Sequence, residues 1–126
     1  MPLLCALLVS SAASAGQTGD MKLSLLPSSL PSAKGGRCLD GSMAGYYFRQ
    51  GSADTFTIFL KGGGACYSEA TCTTRSKSPL GSSNQWSQSM AGFGLQSEDC
   101  SENPGFCNAT AVYLKWVLLL LGRRRR

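Results

Sequence analysis

Lys61-Gly62-Gly63-Gly64-Ala65-Cys66-Tyr67 is the stretch whose residue types and spacing bear most directly on chemistry. Three glycines straight after a strand-like run let the backbone take conformations closed to other residues and bring amide N–H groups close to a ligand. Ester hydrolysis needs such donors, two or three of them fixed where negative charge develops on the carbonyl oxygen, each contributing about 3 kcal/mol to the transition state. A glycine run is also an ordinary flexible turn, so the loop alone does not identify an enzyme. Cys66 and Cys72 lie close enough in sequence to staple the loop, either to fix donors that must not reorganise or as a purely structural clasp.

The rest of a hydrolase site is not visible. The 126 residues contain no His, so no Ser-His-Asp or Cys-His relay can be assembled from them, and an unactivated Ser is a poor nucleophile. Gly41-Ser42-Met43-Ala44-Gly45 imitates a Gly-x-Ser-x-Gly elbow but places Met43 where the nucleophile would stand. Without His, and with cysteines that lack zinc spacing, neither a metal nor another cofactor is expected. The net charge of +5 sits largely in Arg123, Arg124, Arg125 and Arg126. With the body nearly neutral and no basic stripe interleaved with aromatics, a nucleic-acid partner is not expected.

The first residues carry an apolar run from Leu3 to Val9 followed by Ala13-Ser14-Ala15, the small-residue ending of a secretory signal, although no positive charge precedes the run. Residues 1–15 are therefore expected to be a signal peptide, with an extracellular destination that includes a cell wall. Secretion leaves Cys38, Cys66, Cys72, Cys100 and Cys107 in an oxidising compartment, which favours disulfides. Asn108-Ala109-Thr110 is a glycosylation sequon consistent with that route.

The elements that must position the loop follow from local patterning within one loop-rich α/β domain. Residues 16–35, rich in Ser, Leu and Pro, read as an irregular lead-in, and the domain is expected to begin near Gly36. Gly45 to Arg49 predicts a short aromatic strand, Gln50-Gly51-Ser52 a turn, and Thr55 to Lys61 a second strand completing a hairpin. Phe56, Ile58 and Leu60 share one face of that strand, and Thr55, Thr57 and Phe59 the other, so both faces are expected to be partly covered. A short helix is expected over Ser68 to Arg75, loop over Ser76 to Ser97, and a buried strand over Ala111 to Val117.

Taken in order, Cys38-Leu39-Asp40-Gly41-Ser42 with Gly45-Tyr46-Tyr47, then Gly62-Gly63-Gly64 with Cys66-Tyr67, resemble the pectin acetylesterases and the related Notum carboxylesterases. Cys72 with Arg75, Leu80-Gly81-Ser82-Ser83 with Trp86, Asn103-Pro104 with Phe106, and Val112-Tyr113-Leu114-Lys115 continue the likeness, which covers residues 36–116. It implies the N-terminal part of an α/β-hydrolase-like fold, its early strands and oxyanion loop, and so an incomplete one. The implied activity is secreted carboxylic-ester hydrolysis, with an acylated polysaccharide or an acylated protein as substrate. The resemblance makes the backbone amides of Gly64 and Ala65 the oxyanion donors and Cys66–Cys72 a disulfide. Cys38 would pair with a cysteine beyond Trp116 that this chain lacks, leaving Cys38 unpaired and Cys100 with Cys107. Ala65 departs from the family's usual Trp, which keeps the amide but removes a pocket wall.

After Trp116 the family continues into Cys-Asp-Gly, whereas Val117-Leu118-Leu119-Leu120-Leu121-Gly122 and four arginines follow here. Residues 117–126 read as a divergent or misassembled tail, and the apolar run falls short of the ~20 residues of a stable membrane span. The chain is thus expected to stop before the family's nucleophile, to be inactive, to leave sheet edges and an apolar face uncovered, and to be poorly soluble alone. The alternative expectation is a non-catalytic secreted module that binds carbohydrate, or a disulfide-stabilised structural protein.

Overall fold

The computed structural model describes residues 19–29 and 36–115, so the expected signal peptide, Trp116 and the tail 117–126 lie outside it. Five strands form one mixed sheet: β1 (Asp20–Leu25), β2 (Gly45–Arg49), β3 (Ser52–Lys61), β4 (Ser89–Ala91) and β5 (Ala109–Lys115), in the order β3-β5-β2-β1-β4. β3 and β5 run parallel and every other pairing is antiparallel. One helix, α1 (Glu69–Ser76), and a 3₁₀ turn at Gly94–Gln96 lie in the connection between β3 and β5. This is the mixed sheet with few helices expected of the early part of an α/β-hydrolase-like fold.

β5 is an interior strand, lying between β3 and β2, and its first half is buried on both sides: Ala109, Ala111 and Tyr113 are almost wholly buried, as is the hydroxyl-bearing Thr110. Thr110 is satisfied locally, since its Oγ1 donates to the Ser52 carbonyl at 2.8 Å and accepts from the Gly51 N–H at 3.0 Å. The core lies on one face of the sheet, where Met21, Tyr47, Ala111 and Tyr113 pack with Leu23 and Met90. Phe59 stacks on Tyr113 at 5.2 Å between centroids, and Phe93 closes edge-on against both rings. Trp86 and Cys38 form a second buried cluster against Leu23, the indole N–H of Trp86 donating to the Pro79 carbonyl at 2.8 Å.

Four expectations are corrected. The lead-in 16–35 is not irregular throughout, because β1 lies within it, hydrogen-bonded between β2 and β4. Met21, Leu23 and Leu25 alternate with Lys22 and Ser24 there, a period-2 signal embedded among Ser and Pro, and Met21 is fully buried. β2 and β3 do not form a hairpin, since β5 inserts between them. Their link instead arches over the start of β5: the Ser52 N–H donates to the Asn108 carbonyl at 2.7 Å, and a Cβ on Gly51 would stand 2.4 Å from that same oxygen. The loop over Ser76 to Ser97 contains β4 and the 3₁₀ turn. Finally, the Phe56, Ile58 and Leu60 face is uncovered, with exposures of 57%, 65% and 62%, so only the Phe59 side of β3 meets the core. Strand ends also shift: β3 begins at Ser52, with an irregularity in register before Phe56, and β5 begins at Ala109.

Candidate functional site

β3 delivers the glycine loop to the end of the sheet where both parallel strands finish, with Lys61 in register with Lys115. The strand stops because Gly62, Gly63 and Gly64 supply neither side chains to pack nor a β-branched preference for extension. Gly64 has a φ of +65°, in the left-handed region, while the space around its Cα is open enough that a Cβ would meet nothing within 4 Å. Glycine is therefore required here by backbone conformation and not by crowding.

Two links from α1 bracket the loop. Cys72, in the helix, is bonded to Cys66, with 5.0 Å between their Cα atoms. Arg75, in the last turn, donates from Nη2 to the Gly63 carbonyl. The peptide groups of Gly64 and Ala65 lie between these two attachment points. The helix itself is held at its N-terminus by a capping box: Ser68 Oγ accepts from the Thr71 N–H at 3.2 Å, and Thr71 Oγ1 accepts from the Ser68 N–H at 3.0 Å. Thr71 Oγ1 also accepts from the Tyr67 N–H at 3.2 Å, so the chain entering the helix is fixed from the disulfide onward. Leu80, with Ala70, Thr71, Thr74, Arg75 and Ser78, lines a cleft of about 420 Å³ along α1.

Beside the loop, Lys115 projects over aromatic rings, its Nζ 4.7 Å from the Trp86 centroid and 5.6 Å from that of Tyr47. Burial, and secondarily the charge of Lys61, hold its pKa below the ordinary lysine value.

The remaining sequence candidates are distributed elsewhere. Cys100 and Cys107 form the second disulfide, again with Cα atoms 5.0 Å apart, and Cys38 is a buried free thiol. Asn108 is exposed at the start of β5, on the strand end opposite the glycine loop. The Gly41-Ser42-Met43-Ala44-Gly45 segment is a locked turn: Ser42 Oγ donates to Asp40 Oδ1 at 2.5 Å and accepts from the Ser83 N–H at 3.0 Å. The Ser42 hydroxyl first, and Ser82 next, hold the Asp40 carboxyl below its usual range. Among the described residues no group of three His, Cys, Asp or Glu side chains converges as a metal site would require. Arg75 is the site residue that spacing did not single out. A cation in the last turn of a helix reads as a complement to the helix dipole, and only the fold shows its guanidinium on Gly63.

A family model for the pectinacetylesterases matches residues 14–117, a span that includes β1 as well as the glycine loop. Pectin acetylesterase 5 of Arabidopsis thaliana is 40% identical over 92 residues, covering 71% of this chain and 22% of the relative. The inactive palmitoleoyl-protein carboxylesterase notum1b of Danio rerio is 35% identical over 99 residues, covering 76% of this chain and 68% of the relative. The solved structure of the Wnt deacylase Notum from Drosophila superposes with a TM-score of 0.67 at 29% identity, over 79% of this chain and 28% of that one. This chain accordingly spans about a fifth of the Arabidopsis enzyme and little more than a quarter of the Drosophila structure. With the glycine loop, its disulfide and its strand order all inside the matched region, the chain belongs to the pectinacetylesterase family.

Proposed function

We propose that these residues form the electrostatic part of a carboxylic-ester hydrolase site, with the backbone amides of Gly64 and Ala65 as oxyanion donors. The observation that carries this reading is the double attachment of the loop, through Gly63 to Arg75 and through Cys66 to Cys72, on either side of those two amides. Donors that stabilise developing charge must be held in place before the reaction, and a triglycine segment has no rigidity of its own. The substrate class is an acylated polysaccharide or an acylated protein, as the names of the relatives indicate for those proteins. Ala65, standing where the resemblance puts Trp, keeps the backbone amide and removes a wall of the acyl pocket.

The same reading holds that the 126 residues do not turn over ester by themselves. They contain no His, and Ser42, Ser82 and Ser83 are engaged in turns or buried. A family member of which this chain covers 68%, notum1b of Danio rerio, is itself named inactive, which supports that reading. Secretion is supported by the apolar run Leu3 to Val9 with Ala13-Ser14-Ala15, by two disulfides, and by the exposed Asn108 of the sequon, a glycan at which would stand clear of the loop. Among the described residues no helix is long and apolar enough to cross a membrane. Hydrolysis of p-nitrophenyl acetate by this chain, and by this chain joined to the C-terminal part of Arabidopsis pectin acetylesterase 5, tests the proposal. Turnover is expected from the joined protein only; turnover by the chain alone, or by neither, contradicts it.

A further inference from the structure

We propose that Arg75 is a positioning residue for the oxyanion site, fixing the direction of the Gly64 N–H by holding the carbonyl of Gly63. The inference rests on reading the glycine loop as the site of an ester hydrolase. Its physical basis is the planarity of the peptide group. In a trans peptide the carbonyl of one residue and the N–H of the next lie in one plane and point in opposite directions. No cis peptide occurs among the described residues, so the Gly63 carbonyl and the Gly64 N–H form such a pair. A guanidinium bonded to the carbonyl therefore directs the N–H away from α1.

Such a constraint is needed here more than elsewhere in the chain. Glycines on both sides of this peptide leave its rotation nearly free, and the φ of +65° at Gly64 is only one of the conformations open to glycine. The disulfide from Cys72 ties the loop two residues further on, which fixes where the loop lies without fixing the rotation of the Gly63–Gly64 plane. The bond from Arg75 acts on that plane directly, and a charged donor makes it roughly twice as strong as a neutral hydrogen bond.

The backbone of Arg75 is anchored at the end of α1. Its side chain is half-buried, and its backbone carbonyl accepts from the Ser78 N–H at 3.0 Å and from Ser78 Oγ at 2.8 Å. Its Nε is buried with no hydrogen-bond partner, so the Gly63 carbonyl is the guanidinium's bonded protein partner among the described residues. The two attachments thus divide the work, the disulfide setting position and Arg75 setting orientation.

The test uses the 126-residue chain labelled with ¹⁵N, with I58T and L60T on the exposed face of β3 as the common background that keeps it monomeric, and acetate as a small oxyanion probe, comparing the wild-type Arg75 with R75Q and R75K. Acetate is expected to shift the Gly64 amide in wild type. In R75Q the acetate affinity at that amide falls about tenfold, as loss of a charge-assisted bond implies, and Gly64 hydrogen exchange accelerates while the β5 amides stay unchanged. R75K, which keeps the charge but not the planar fork, falls between them. Should R75Q disturb the β5 amides, R75K carries the comparison, with intermediate acetate affinity expected. Wild-type behaviour in the informative variant, in both exchange and acetate response, overturns the positioning role. An intact wild-type loop whose amides ignore acetate overturns the anion-holding reading of the loop, and the role of Arg75 with it.

Discussion

At Gly64 the backbone conformation, and not the surroundings, dictates the residue. A Cβ there meets open space but must adopt a φ of +65°, so Gly64→Ala is expected to cost about 1 kcal/mol by chemical denaturation. A larger loss would reveal packing around the loop. Asp40 makes a second residue-scale prediction. Its carboxylate is stabilised first by the Ser42 hydroxyl and then by Ser82, which lowers its folded pKa. A depressed carboxylate pKa contributes stability that is present above the unfolded value and lost as pH falls through the folded one. Denaturation midpoints measured from neutral to acidic pH should therefore fall less for Asp40→Asn than for wild type; parallel profiles would mean the turn gains nothing from the charge. Some of this was legible in the sequence: Gly62-Gly63-Gly64 after an alternating strand announced the loop, and Asp40-Gly41 the turn. The role of Arg75 was not, because the bond to Gly63 spans twelve residues and depends on how α1 folds back.

Among the elements, local pattern was most informative where neighbours in sequence decide the structure. Ser68, with Thr71 at the third helical position, sets the start of α1, and Tyr46, Tyr47 and Phe48 set β2. Pairing was less legible, because it is decided by which strand best tolerates a neighbour on each side. β5, with its small and aromatic residues, inserts between β2 and β3 and displaces the hairpin that the turn at Gln50-Gly51-Ser52 implied. β1 was hidden because its alternation is only six residues long and lies between stretches of Ser and Pro. The helix-to-loop clamp belongs to this scale. Removing it by Cys66→Ser with Cys72→Ser is expected to cost about 2–3 kcal/mol, the range for closing a short loop, and to speed amide exchange from Gly62 to Ala65. Unchanged exchange would show that the disulfide does not order the loop.

For the molecule as a whole, one face of the sheet is built and the other is not. Tyr47, Tyr113 and Met21 make a core on one side, with the partly exposed Phe59 stacked on Tyr113 at its rim, while Phe56, Ile58, Leu60 and Leu114 on the other remain exposed. β3 is also an edge strand whose run from Phe56 to Leu60 carries no charge or proline to discourage pairing. The 126-residue chain is expected to self-associate in light scattering, and Ile58→Thr with Leu60→Thr to shift it toward monomer; a monomeric wild type would contradict this. The sequence carried that outcome, since the alternation of β3 shows an apolar face, while which face met the core depended on the long-range placement of Phe93 and Tyr113. The central claim is that the Gly64 N–H is an oxyanion donor. Replacing Gly64 by glycolic acid in the protein joined to the C-terminal part of the Arabidopsis enzyme deletes that single N–H with little change in shape. The expected result is a fall in kcat of about 10²–10³-fold on p-nitrophenyl acetate with KM little changed. A kcat equal to that of the unmodified joined protein would contradict the claim.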